Sequence, residues 1–245
     1  MKRTFVIGDV HGHIDRLNAL LCRANAVHQD TQIVFLGDLG HYGVDTWSGD
    51  QACISFAAEI GAIVLWGNHD RAIVDPDNHR FRGYQHPGPG AQDFIEEKLD
   101  MRIAYAVDGY LLTHAGLHPA WASSSVKRVF TAEGWVRYLE SVPFDDPIIT
   151  SIAAPRGGWA RQGGILWRDA REDLFRGVKQ IFGHTRGWVR AYPTEGSAAS
   201  FCIDTGSKEN GSLVGMWTDT REIVAVGPDA EQFEKYPPLD GLTYA

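Results

Sequence analysis

The stretch Phe5-Val6-Ile7-Gly8-Asp9-Val10-His11 decides how this chain is read. Three consecutive apolar residues, two of them β-branched, make a buried strand, and a glycine then hands the chain to two side chains that offer oxygen and imidazole ligands. The same phrase returns four times. Ile33-Val34-Phe35-Leu36 leads into Gly37-Asp38, Ile63-Val64-Leu65 into Gly67-Asn68-His69-Asp70, Tyr110-Leu111-Leu112 into Thr113-His114, and Ile181-Phe182 into Gly183-His184. Between the first two strands Ile14, Leu17 and Leu21 fall at helical spacing, as do Ile54, Ala57 and Ala58 between the second and third. Strand, helix, strand, helix, strand is the pattern of a right-handed parallel crossover.

Further along, residues 102–107, 110–114, 200–203, 212–217 and 223–226 are strand-like with short connections, which predicts a mixed or second sheet. Residues 76–90 and 121–164 follow neither period, and such long irregular segments are expected to form functional rims or lids. The expected organisation is one domain over residues 1–227 and a loosely held C-terminal extension over 228–245, which carries Pro237-Pro238.

Composition excludes several classes. A chain of 245 residues can bury a sizeable core without staples. No stretch approaches the roughly 18 consecutive apolar residues of a membrane span, and the N-terminal apolar run breaks at Asp9, too early for a secretion signal. The 3 cysteines, Cys22, Cys53 and Cys202, have no CxxC spacing, so a soluble cytoplasmic protein is expected. A net charge of −8 speaks against wrapping an extended nucleic acid, which needs many Lys and Arg contacts to phosphate. A small phosphate-ester or nucleotide substrate remains open, and the sequence leaves the oligomeric state undetermined.

In an open α/β sheet, ligands gather beyond the carboxyl ends of the strands, where residues distant in sequence can meet. Carboxylate, amide oxygen and imidazole without thiolate suit Mn²⁺, Fe, Zn²⁺ or Mg²⁺ rather than a structural zinc. Two such ions roughly 3.5–4 Å apart could polarise a phosphoryl oxygen and activate water for in-line attack. Taken singly, Gly37-Asp38 reads as an ordinary turn and any one histidine as a hydrogen-bonded core residue. Six ligand-type residues at five strand ends are not explained that way. Trp47, Trp66 and Trp167 read as packing residues.

Taken in order, Asp9-Val10-His11, Gly37-Asp38, Gly67-Asn68-His69-Asp70, Thr113-His114-Ala115-Gly116 and Gly183-His184-Thr185 resemble the signature of the calcineurin-like metallophosphoesterases, a likeness that runs from about residue 7 to 206. Ile203-Asp204-Thr205-Gly206 and the following Gly211-Ser212-Leu213 resemble the strand pair that closes the core in that family. The resemblance implies an αββα sandwich of two mixed β-sheets flanked by helices. It implies two divalent metal ions, Mn²⁺ foremost, with Asp9, His11 and His184 on the first, Asn68 and His114 on the second, and Asp38 bridging. It further implies that His69 is the general acid at the leaving-group oxygen.

The chain departs from the phosphoprotein phosphatases and dinucleoside-tetraphosphate hydrolases after Asp38, and from the phosphatases again before Gly67. After Asp38 it reads Leu39-Gly40-His41-Tyr42-Gly43, so His41 stands where the phosphatases carry a carboxylate and Tyr42 where they carry a phosphate-binding Arg. Trp66 replaces a second arginine before Gly67. Arg168, in Leu166-Trp167-Arg168-Asp169, is then the expected phosphate clamp, with Arg71 and Arg161 as weaker candidates. Loss of a guanidinium fork favours a singly charged diester over a doubly charged monoester. The expected activity is therefore that of a metal-dependent phosphodiesterase for cyclic nucleotides such as 2′,3′-cyclic ones, with His41, Tyr42, Trp66 and Arg168 facing the substrate. A phosphomonoesterase and a dinucleoside-polyphosphate hydrolase are the alternatives. A metal-free scaffold, which would be expected to have lost ligands, is the rival from another class.

Overall fold

A computed structural model describes residues 2–41, 45–74, 90–193 and 199–229, and the backbone of 233–236. The crossovers form as the periodicity predicts. β1 (Arg3–Ile7), α1 (Ile14–Ala24), β2 (Thr31–Phe35), α2 (Trp47–Glu59), β3 (Ile63–Leu65) and α3 (Asn68–Val74) follow one another, and α4 (Ala91–Lys98) leads into β4 (Met101–Arg102). β1 to β4 pair in parallel. On the other side of β1 the antiparallel strands β10 (Leu213–Trp217), β11 (Ile223–Val226) and β12 (Phe233–Tyr236) complete a seven-stranded sheet. The last of these lies inside the segment expected to be a loosely held extension, and its backbone pairs with β11 instead.

The second sheet has five strands in the order β5 (Tyr105–Val107), β6 (Tyr110–Leu112), β7 (Lys179–Phe182), β9 (Ala199–Cys202), β8 (Arg190–Pro193). The run 102–107, read as one strand, is divided between the sheets. Arg102 pairs with β3 and Tyr105 with β6.

Residue alternation explains the layers. Val6, Val34 and Leu36 of the first sheet meet Tyr110, Leu112 and Phe201 of the second in one apolar cluster. Phe5, Ile7 and Phe35 point the other way, onto Leu17, Leu20 and Leu21 of α1 and Ile54 and Ala57 of α2. Leu111 likewise points outward, into a cluster with Trp135 and Leu139. Those two residues belong to α6 (Ala132–Ser141), between the short helices α5 (Ser125–Arg128) and α7 (Pro147–Thr150). Thr131 caps α6, its side chain accepting from the Gly134 N–H. The result is the αββα sandwich. Residues 121–164, expected to be irregular, thus supply the outer helical layer of the second sheet, while 75–89 lie outside the described residues.

Candidate metal centre and active-site cleft

Both sheets end at the same edge. Asp9 and His11 follow β1, Asp38 follows β2 and Asn68 follows β3, while the second sheet delivers His114 after β6, His184 after β7 and Asp204 after β9. Backbone bonds hold these ends together. The Asp38 carbonyl accepts from the Val10 and His11 N–H groups at 3.1 and 3.0 Å, and the His114 carbonyl accepts from Gly183 at 2.7 Å. The His184 N–H donates to both Asp9 oxygens at 3.2 Å. Buried Asp70 accepts from the Asp38 and Gly67 N–H groups at 2.7 and 2.8 Å, which fixes the turn between β2 and β3. Gly67 is required there: a Cβ would lie 2.0 Å from Asp38 Oδ1 and 2.4 Å from its backbone nitrogen.

The six residues expected to hold metal converge. Asp38 lies between two groups, with Oδ2 3.8 Å from His11 Nε2 and 3.6 Å from His114 Nε2. Asp9, His11 and Asp38 form one potential site and Asp38, His114 and His184 the other. The geometry corrects the division drawn from the family pattern: His184 Nδ1 lies 3.2 Å from His114 Nε2, so His184 belongs with the His114 group.

The donors fit divalent ions. His114 Nδ1 donates to the Leu36 carbonyl at 2.8 Å, so its Nε2 carries a lone pair, and that atom faces the carbonyl oxygen of Asn68 at 3.0 Å. Two acceptors turned toward each other call for a cation between them. Burial holds His114 neutral by lowering its pKa to about 3. His11 Nδ1 and His184 Nε2 are buried without a hydrogen-bond partner. Burial, then the charges of Asp204 and Asp38, pushes the Asp9 carboxyl well up, and burial, then Asp70, does the same to Asp38. Buried carboxylates that raise one another in this way are stabilised by bound positive charge.

A cleft of about 290 Å³ opens over these groups. Asp9, His11, Asp38, Asn68, His69 and His184 line it together with Trp167, Arg156, Arg186, Lys208, Asp204 and Glu209. The expected substrate residues are placed otherwise. Arg168 is fully buried. Its guanidinium donates to the carbonyls of Ala115, Asp169 and Glu172 and lies over the Phe182 ring, so it braces the second sheet and is not a phosphate clamp. Trp66 packs against Phe144 with ring centroids 5.3 Å apart, away from the cleft lining. Arg71 lies over the same Phe144 ring, and Arg161 is exposed; neither lines the cleft. Tyr42 lies outside the described residues. Trp167, read as packing, does line the cleft, with its ring edge-on to His184.

His41 stands where relatives carry a carboxylate, and its backbone takes over the orienting contact. Its carbonyl accepts from His69 Nδ1 at 3.3 Å, while the two rings stack with centroids 5.6 Å apart. The lone pair on His69 Nε2 is met by Lys208 Nζ at 3.2 Å.

Residues 2–187 match the family described as calcineurin-like phosphoesterase. The chain belongs to that family. That family is one of phosphoesterases whose centre holds two metal ions. Among curated relatives, a symmetrical bis(5′-nucleosyl)-tetraphosphatase of Janthinobacterium sp. (strain Marseille) is 28% identical over 164 residues, 59% of this chain and 57% of that protein. One from Bordetella pertussis is 22% identical over 91% of this chain and 94% of its own length. The first relatives are matched over only 57 to 64% of their length. Among solved structures, a candidate diadenosine tetraphosphatase gives a TM-score of 0.56 at 20% identity, covering 92% of this chain and 93% of that one. A cold-active protein tyrosine phosphatase gives 0.59 at 16% identity, over 96% and 78%. At such identities these likenesses describe the phosphoesterase fold alone.

Proposed function

We propose that this phosphoesterase hydrolyses nucleoside polyphosphates, dinucleoside tetraphosphates among them, in the cytoplasm. The observation that carries the reading is the cationic wall of the cleft. Arg156, Arg186 and Lys208 line it with the metal-binding residues, Arg156 paired with Asp169 and Arg186 with Glu209, so a bound anion meets three side-chain cations in addition to the ions. That much positive charge suits a chain of phosphates better than a single phosphodiester. The preference for cyclic nucleotides expected from the sequence rested on missing cations at 42 and 66. Cations reach the cleft from other segments, and the named relatives act on dinucleoside tetraphosphates.

In this reading Asp9 and His11 would hold one ion, Asn68, His114 and His184 the other, and Asp38 would serve both, with Mn²⁺ the foremost choice. When bound, such a pair would supply Lewis-acid polarisation of phosphoryl oxygens and a lowered pKa for water. The Leu36 carbonyl fixes the His114 tautomer. Arg156 is held for its task by Asp169, 2.8 Å from Nε, and by the Thr185 hydroxyl, 2.7 Å from Nη2. Arg186 is paired with Glu209 at the rim.

The test compares kcat/KM with Mn²⁺ for diadenosine tetraphosphate, p-nitrophenyl phosphate, bis-p-nitrophenyl phosphate and a 2′,3′-cyclic nucleotide. The tetraphosphate is expected to lead by tenfold or more, about 1.4 kcal/mol in the transition state, with two nucleoside diphosphates as products. A tenfold lead for either diester would refute the reading and restore the phosphodiesterase.

A further inference from the structure

We propose that Trp159 and Trp188 are nucleobase platforms, the surfaces on which the bases of a nucleoside polyphosphate stack while its phosphates lie against Arg156 and Arg186. The inference rests on the polyphosphate reading and names what holds the other end of the substrate. Among the described residues the exposed large apolar side chains are Val27, Val129, Trp159 and Trp188, and the two tryptophans are 101% and 84% exposed. Rings so open to water add nothing to the core, and two of them close to one cleft mark a surface made to be covered.

The same local sequence places both rings. Arg156-Gly157-Gly158-Trp159-Ala160-Arg161 and Arg186-Gly187-Trp188-Val189-Arg190 each run from a cleft-lining arginine through glycine to tryptophan, and on to a second arginine two residues later. A chain reaches at most about 3.6 Å per residue, so Trp159 starts within roughly 11 Å of Arg156 and Trp188 within roughly 7 Å of Arg186. The two segments are tied where they begin: the Arg156 guanidinium donates to the His184 carbonyl at 3.3 Å and to the Thr185 hydroxyl at 2.7 Å. The backbone under each ring is held. Gly157 turns the chain at φ 80°, the Gly158 N–H donates to the Ala153 carbonyl at 3.1 Å, and the Ala160 N–H donates to the Ile152 carbonyl at 3.0 Å. Val189, next to Trp188, packs against the core between the sheets and leads into β8.

Each segment thus sets a cation a few residues from an open aromatic face. That pairing matches a nucleotide, whose anionic phosphates and flat base lie one ribose apart. Stacking tolerates any base, because every base has a π-face, so the platforms select for a nucleoside and not for a particular one. A dinucleoside polyphosphate carries a base at each end of its phosphate chain, and the cleft has one platform on each segment to receive them. A mononucleotide engages one.

With Mn²⁺-loaded protein, Trp159→Ala and Trp188→Ala are each expected to raise KM for diadenosine tetraphosphate by roughly five- to thirtyfold, the scale of one lost base stack. The double variant should show about the product of the two, and Trp→Tyr at either position should keep most of the affinity. Competitive inhibition of p-nitrophenyl phosphate hydrolysis then separates base from phosphate. Inorganic tripolyphosphate carries more charge than ATP, so charge alone makes it the tighter inhibitor; with stacking, ATP is expected to be the tighter by about fivefold or more. In the double variant Ki for ATP should rise past that for tripolyphosphate, which should move less than twofold. A double variant with KM for the tetraphosphate and Ki for ATP within twofold of wild type, or with both inhibitors weakened alike, overturns the proposal. So does a wild-type dimer that light scattering finds monomeric in the double variant, since the rings then cover each other between copies. Failure of the platforms leaves the wild-type lead for the tetraphosphate in place. Absence of that lead overturns the polyphosphate reading instead, and the platforms are then decided by ATP against tripolyphosphate.

Discussion

Replacing Asp169 by Asn should loosen the cleft from behind. Asp169 is 3% exposed, and its carboxylate accepts from the Arg171 backbone at 2.9 Å and from Arg171 Nε at 2.8 Å, with Arg156 Nε 2.8 Å from the other oxygen. Burial alone would push this carboxyl up; the bonds from Arg171 and the charges of Arg156 and Arg171 outweigh it and hold the pKa at about 2, below the ordinary 3.8. Taken in full, that depression corresponds to about 2.4 kcal/mol. Arg171 is 70% exposed and acts largely through water, so screening leaves about 1 kcal/mol. In a chain of this size that lowers the melting temperature by roughly 2–4 °C. The sign in pH follows from the direction. A carboxylate with a depressed folded pKa stabilises above its unfolded value and loses that contribution as pH falls through the folded one, so the gap between EDTA-treated wild type and variant should be full at pH 5 and close toward pH 2. Asn would also turn an amide N–H toward Arg156 Nε, displacing the guanidinium from the cleft. KM for a polyphosphate should then rise several-fold while kcat for p-nitrophenyl phosphate changes little. Thermal melts from pH 7 to 3 check the charge argument, and a gap that does not shrink below pH 4 would refute it.

Asp38→Asn should bind fewer than two ions and lose turnover, since both ligand groups share that carboxylate; two ions by elemental analysis with normal turnover would contradict it. After EDTA treatment the same variant should melt higher than wild type, because it removes one of the mutually repelling buried charges. Gly67→Ala should cost about 3 kcal/mol or more and abolish ion binding, since its Cβ meets the Asp38 backbone, whereas Gly61→Ala, with open space but φ 61°, should cost only about 1 kcal/mol. Denaturant melts of the two alanine variants separate collision from backbone preference.

What was legible in the sequence is what a strand end prints locally. Each of the five apolar runs became a strand, and each delivered its polar residue to one edge, because alternation and the switch from apolar to ligand-type side chains are written within seven residues. The split of 102–107 between sheets was not, since Ile103 and Ala104 look like any strand interior and only pairing partners distinguish the halves. Residues 121–164 hid α6 because its buried face is narrow, Trp135 and Leu139 alone among large side chains. The cationic wall was illegible for a different reason. Arg156, Arg186 and Lys208 resemble solvated surface charges until tertiary structure places them, although Arg186 lies two residues after His184 and Lys208 four after Asp204, and that adjacency to strand ends was the signal available. Arg168 misled because the segment around it resembles a family pattern, while its immediate use is to satisfy three carbonyls.

Backbone strain bears on whether this edge is a working site or a relic. Among the non-glycine residues with positive φ are three of the six metal-binding candidates, His11 at 51°, Asp38 at 50° and His184 at 68°. Each such conformation costs on the order of 1–2 kcal/mol. The same edge buries Asp9, Asp38, Asp70 and Asp204, and burial raises the pKa of Asp9, Asp38 and Asp204. Neither cost is needed to close two sheets over an apolar interior that packs through Val6, Val34, Leu112 and Phe201. A scaffold selected only for its fold would shed them cheaply, by glycine at the strained positions and by neutral residues at the buried acids. Their joint presence at the one place where both sheets end, beside Arg156, Arg186 and Lys208, favours the proposed metal-dependent phosphoesterase over a protein that merely keeps its shape.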